Sequence, residues 1–83
     1  MLTFDQFKDS VYESIKTRPN NIRKGQQAFN FIDDTYLVAR DVQFVDKIDC
    51  FYDDSKIDDF IIASYKRYCE NNSPNLKIVS MNQ

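Results

Sequence analysis

Eighty-three residues carrying a formal charge of −2, with 14% aromatic content and no histidine, make one small domain, 1–83, with a thin core. The absence of histidine removes the commonest general base, the commonest metal ligand and every Ser-His or Cys-His nucleophile pair. A single glycine excludes phosphate-cradling loops, two cysteines are too few for a structural zinc site, and no apolar run reaches the roughly 18 residues that cross a bilayer.

The small net charge hides a pattern. Residues 1–32 carry five basic and three acidic groups, residues 33–59 nine aspartates against three basic groups, and residues 60–83 three basic groups against Glu70. The segment charges are therefore +2, −6 and +2. Eleven of the thirteen acids are Asp, which favours helix starts and loops over helix interiors, so helix capping accounts for much of the count. Cys50 and Cys69 accompany a start, Met1 to Asp5, that has neither the charged nor the apolar region of a secretory leader. A reduced cytoplasmic setting, with both thiols as small apolar groups, is expected.

The first helix is expected over 4–17. Thr3 is a natural N-cap, Gln6 completes a capping box, and Phe4, Phe7, Val11 and Ile15 recur on one face. Arg18-Pro19 ends it, because proline disfavours the α conformation in the residue before it. Asn20 or Asn21 is the expected cap of a second helix, 21–42. Ile22, Gly25, Phe29, Ile32 and Tyr36 share one side of it, with Phe31, Val38 and Val42 roughly opposite. A break near 33–35, with Asp34 capping a restart, is the variant of this reading. Gly25 in the first turns costs about 1 kcal/mol relative to alanine and calls for a close approach by a neighbour.

Residues 43–54 read as an irregular loop or a short extended piece. The last helix is expected over 55–70, capped by Ser55 with Asp58 in the reciprocal position, and buried through Ile57, Phe60, Ile61, Ser64, Tyr65 and Tyr68. The tail, 73–83, is expected to fray or to frame a small strand against 43–46. The fold class is all-α, three to four helices in one compact domain.

The carboxylates of Asp46, Asp49, Asp53, Asp54, Asp58 and Asp59 lie close in sequence but lack the alternate spacing, central Gly and terminal Glu of a calcium loop. No metal, cofactor or catalytic residue is assigned, and the expectation is a protein that is not an enzyme. Arg18, Arg23 and Lys24 form a basic cluster beside Asn20, Asn21 and Gln26, which suits phosphate at a helix N-terminus and gives a nucleic-acid-binding alternative. The acidic centre also allows the reverse reading, a nucleic-acid mimic.

Two strings remain. Arg23-Lys24-Gly25-Gln26-Gln27-Ala28-Phe29-Asn30 follows R-x-G-Q-x-x-F-N, and Asp49-Cys50-Phe51-Tyr52-Asp53-Asp54, with Ile57 and Phe60 behind it, follows D-P-F-Y-D-D except that Cys50 replaces the proline. Together, over residues 22–61, they resemble a family of small proteins encoded by bacteriophages, prophages and related mobile elements. The resemblance implies an accessory protein made in a bacterial cytoplasm and transfers no activity to any residue.

The paired strings also suggest an intramolecular clamp built by Arg23, Gly25, Gln26, Phe29, Asn30 and Phe51. Gly25 would admit Phe51 or Tyr52 against the helix, while Arg23 and Gln26 would bond loop carbonyls or Asp49, and Asn30 the loop backbone. Phe51 is expected to face inward and Tyr52 outward. The expected function is binding of a host or phage protein, one belonging for instance to a defence or replication system. The patch is Tyr52 with Asp53, Asp54, Asp58 and Asp59. A homo-oligomer with Phe31 and Val38 as its seam is a further reading.

Overall fold

A computed structural model of the chain describes residues 1–72. The expectations for the tail, 73–83, lie outside the described residues. Among the described residues the protein is all-α: α1 is Phe4–Lys16, α2 Lys24–Tyr36, α3 Ala39–Phe44 and α4 Ile57–Asn71, with a short 3₁₀ turn at Asp54–Lys56 leading into α4.

Helix α1 starts as its sequence dictates. The Thr3 hydroxyl accepts from Gln6 N–H (3.2 Å) and the Gln6 side chain accepts from Thr3 N–H (2.9 Å), a complete capping box. Phe7, Val11 and Ile15 are its buried stripe. The turn after α1 is held by Arg18, whose guanidinium donates to the carbonyls of Ile15 and Ile22 at 2.9 Å each.

The second helix is not continuous to residue 42. It runs from 24 to 36, and the break falls at Leu37–Val38 rather than at 33–35, so Asp34 is an interior helix residue and not a cap. Leu37 adopts the left-handed conformation (φ 63°, ψ 30°), and its N–H reaches back to the Ile32 carbonyl at 3.0 Å. The cause lies in the apolar residues on two sides. In one straight helix Val38 would point opposite Phe29, and Val42 would lie about four turns beyond Ala28, past the core. The left-handed residue re-aims the chain so that Val38, Ala39 and Val42 all enter the same core. Asn20 and Asn21 do not cap α2 either: its N-cap is Arg23, which makes no side-chain cap bond.

The loop therefore spans 45–53, and residues 42–44 are helical, with no strand among the described residues. Lys47, also left-handed at φ 61°, turns the loop. Arg67 on α4 then pins it with a two-pronged ion pair to Asp46 (2.9 Å on both prongs), which holds the Asp46 carboxyl below its usual range. The Ser55–Asp58 capping box does not form. Asp53 is the cap, its Oδ1 accepting from Ser55 N–H (3.0 Å) and Oγ–H (2.6 Å), while Asp58 accepts a hydrogen bond from the Tyr12 hydroxyl of α1.

The core joins α1, α2, α3, Cys50 of the loop, and Ile57, Phe60 and Ile61 of α4. At one end an aromatic cluster closes it. Phe7 stacks on Tyr36 with centroids 4.3 Å apart and meets Tyr65 and Tyr68 at 5.3 Å each. Their hydroxyls hold the N-terminal residues: Leu2 N–H donates to Tyr68 Oη and Tyr65 O–H donates to the Leu2 carbonyl, both at 2.9 Å. No helix among the described residues is long and apolar enough to cross a membrane.

Candidate protein-binding surface

The two sequence strings meet in space, through different atoms from those expected. Residues Cys50 to Asp53 form a tight turn closed by Asp53 N–H to the Cys50 carbonyl (3.2 Å). That carbonyl, not an aromatic ring, lies against Gly25. A Cβ on Gly25 would collide with the Cys50 oxygen and stand 3.0 Å from Asp54 Oδ1. Gly25 N–H donates to Asp54 Oδ1 (2.9 Å), and the Cys50 thiol donates to the Gly25 carbonyl (3.3 Å). Asp54 thus supplies, from 29 residues away, the side-chain oxygen that the N-terminus of α2 lacks locally.

Cys50 is fully buried. Burial, reinforced by the charge of Asp49, pushes its thiol up to about 12, so it stays protonated and a donor. Asp49 braces the other side of the turn. Its Oδ1 accepts from Phe51 N–H and its Oδ2 from the Gln43 amide, both at 2.9 Å. Gln43, not Arg23 or Gln26, is therefore the partner of Asp49. Arg23 is exposed, Gln26 and Asn30 are half-buried, and the clamp is closed by Gly25 and Phe29.

This frame fixes the two aromatics. Phe51 is half-buried, its ring edge-on to Phe29 at 5.5 Å. Tyr52 meets Phe51 at 4.7 Å and points outward, 74% exposed. Beside it runs a groove of about 310 Å³ lined by Phe29, Arg40, Gln43, Phe44, Phe51 and Tyr52. The α3 wall of this groove, Arg40, Gln43 and Phe44, carries no motif in the sequence. Phe44, 65% exposed, lies in the expected loop and is the last residue of α3, four residues after Arg40; that helical spacing is the signal the sequence offers.

The acidic candidates are all exposed and make different contacts. Asp53 and Asp54 lie at the foot of the Tyr52 turn and are engaged as caps, the Ser55 bonds holding the Asp53 carboxyl below its usual range. Asp58 turns to α1, where burial and its hydrogen bond together push the Tyr12 phenol up to about 12. Asp59 borders a separate depression with Asp46, Ile48, Ile62, Ala63 and Lys66.

The basic cluster is also partly committed. Arg18 holds backbone carbonyls, while Arg23 and Lys24 are exposed beside a shallow depression of about 300 Å³ that includes Asp54. Asp54 already occupies the place at the start of α2 where a phosphate would sit. The oligomer seam read from Phe31 and Val38 does not exist as a surface, because Val38 is 1% exposed and Phe31 packs edge-on against Tyr36. Among the described residues no three Cys, Asp or Glu side chains converge as metal ligands.

Comparison with family models, with curated proteins and with solved structures gives no match. Fold and site together define the class: a small all-α domain that displays one aromatic side chain from a braced turn.

Proposed function

We propose that this protein acts by binding another protein through the Tyr52 turn and the groove beside it, without catalysing a reaction. The observation that carries this reading is the contrast at the turn. Its base is locked by a buried thiol, a helix backbone and two capping carboxylates, yet it presents a large aromatic to solvent. An exposed tyrosine costs hydrophobic burial that a chain of this size has little of. A rigid aromatic with few torsions is the side-chain type that anchors protein interfaces.

The resemblance of the two strings supports a phage or mobile-element accessory role, with the partner a host or phage protein in a bacterial cytoplasm. The test is purification on immobilised protein from such cells, followed by direct titration of the recovered partner. Tyr52→Ala is expected to weaken binding at least tenfold, about 1.4 kcal/mol, with the fold unchanged. Equal binding by the variant would remove the reading.

The nucleic-acid reading now rests on Arg23 and Lys24 alone. It predicts a mobility shift at low salt that fades steeply as salt rises; no shift is expected here.

A further inference from the structure

Between residues 37 and 45 the exposed positions are Leu37, Arg40, Asp41, Phe44 and Val45, while Val38, Ala39 and Val42 are buried and Gln43 half-buried. Leu37 is 76% exposed, the second-largest exposure among the large apolar residues described, and it sits in a left-handed conformation that suits glycine or asparagine better. Exposed apolar side chains therefore flank α3, Leu37 at the break before it, Phe44 in its last position and Val45 just after it, away from a core that needs apolar area.

The order of groups along this stretch is its second property. Reading outward from the midpoint between residues 40 and 41, a cation and an anion come first, Arg40 and Asp41, and then two large apolar groups, Leu37 and Phe44. A two-fold axis through that midpoint sets Arg40 against Asp41 of a second copy, twice, and brings the Leu37 end of each copy to the Phe44 end of the other. The charges are available for it. Arg40 is held only by a 3.6 Å contact to Asp33 with 75% of its side chain exposed, and Asp41 is exposed with no ion pair among the described residues. We propose that the outer face of α3 is the seam of a symmetric homodimer in which two antiparallel α3 helices pair Arg40 with Asp41 across the axis and bring the Leu37 end of each copy to the Phe44 end of the other.

The seam is small. Five side chains from each copy bury on the order of 1,000 Å² in total, at the low end for a specific interface, so the dimer forms in the micromolar range or above. Arg40 and Phe44 also wall the Tyr52 groove, which places that groove at the edge of the seam. Because Arg40 and Phe44 belong to both, a protein seated in the Tyr52 groove competes with this dimer, and sedimentation of the purified chain tests the dimer alone.

Sedimentation velocity of the full chain from roughly 1 to 500 µM tests this. The wild type is expected to move from monomer to dimer across that range. Arg40→Asp and Asp41→Arg each place like charges together twice and are expected to weaken association at least tenfold, about 1.4 kcal/mol. The double variant R40D/D41R restores opposite charges across the axis and is expected to dimerise again. All three changes lie at exposed positions, and circular dichroism checks that the helices persist. A wild type that stays monomeric to the highest concentration overturns the proposal. So does a dimer indifferent to the single changes, or one that the double variant fails to restore.

Discussion

Gly25 carries two opposed expectations. As an interior helix residue it should be improved by alanine, by about 1 kcal/mol. As the floor beneath the Cys50 carbonyl it has no room for a Cβ, and the neighbour that must move is backbone, not a flexible side chain. The steric effect wins. Gly25→Ala is expected to destabilise by at least about 2 kcal/mol and to lower Tm by roughly 10 °C or more. A Tm at or above the wild type would mean that the loop does not rest on α2.

The buried thiol gives a pH signature. With its folded pKa raised to about 12 from an ordinary value near 9, Cys50 keeps its proton in the folded chain where the unfolded chain loses it. Folding then binds more protons than unfolding, so stability is full below pH 9 and falls as pH rises toward 12. The slope is up to about 1.4 kcal/mol per pH unit for this group. Tyr12, raised in the same direction, adds to it at the upper end. Urea unfolding at several alkaline pH values should show the decline, and Cys50→Ala should flatten its lower part. Ser64 is a simpler case: its hydroxyl is fully buried with no partner among the described residues. Ser64→Ala is expected to raise stability by about 1 kcal/mol in the same assay.

At the level of elements, legibility followed the locality of the cause. Helix α1 was readable because Thr3, Gln6 and a clean apolar stripe all act within four residues of one another. The break between α2 and α3 was not, because no glycine, proline or asparagine marks Leu37. Its left-handed turn is imposed by the gain from burying Val38, Ala39 and Val42, a tertiary cause without a local residue signal. The start of α4 was displaced for a related reason. Ser55 has the cap chemistry, but Asp53 reaches Ser55 first and inserts a 3₁₀ turn.

The clamp was legible as a pairing of two strings, and the inward Phe51 and outward Tyr52 followed from it. Its atoms were not legible, since a backbone carbonyl against a glycine and a carboxylate on a distant helix N-terminus leave no spacing rule in sequence. The clamp also separates the two aromatics energetically. Phe51→Ala removes an edge-on contact with Phe29 and is expected to cost about 2 kcal/mol, whereas Tyr52→Ala should stay within about 0.5 kcal/mol of the wild type.

For the molecule as a whole, the aspartates that dominate the middle of the sequence are distributed over separate tasks. Asp53 and Asp54 cap, Asp49 braces the turn, Asp46 anchors the loop to α4 and Asp58 joins α4 to α1. The −6 segment is chiefly the polar fabric of the loop-rich middle, and the distinctive surface it leaves is aromatic and apolar: Tyr52, Phe44, Val45 and Leu37. That distribution favours recognition by shape and apolar contact over recognition by bulk charge, so partner binding should change little with salt.

Site-specific photo-crosslinking puts the binding role of Tyr52 to the most direct test. A photoreactive phenylalanine analogue at position 52, compared with the same group at the exposed Lys16 of α1, reports which surface a partner touches. Position 52 is expected to give one discrete product in bacterial extract, competed away by excess unlabelled wild type but not by Tyr52→Ala. Identical products from both positions, no product from position 52, or equal competition by Tyr52→Ala would contradict it.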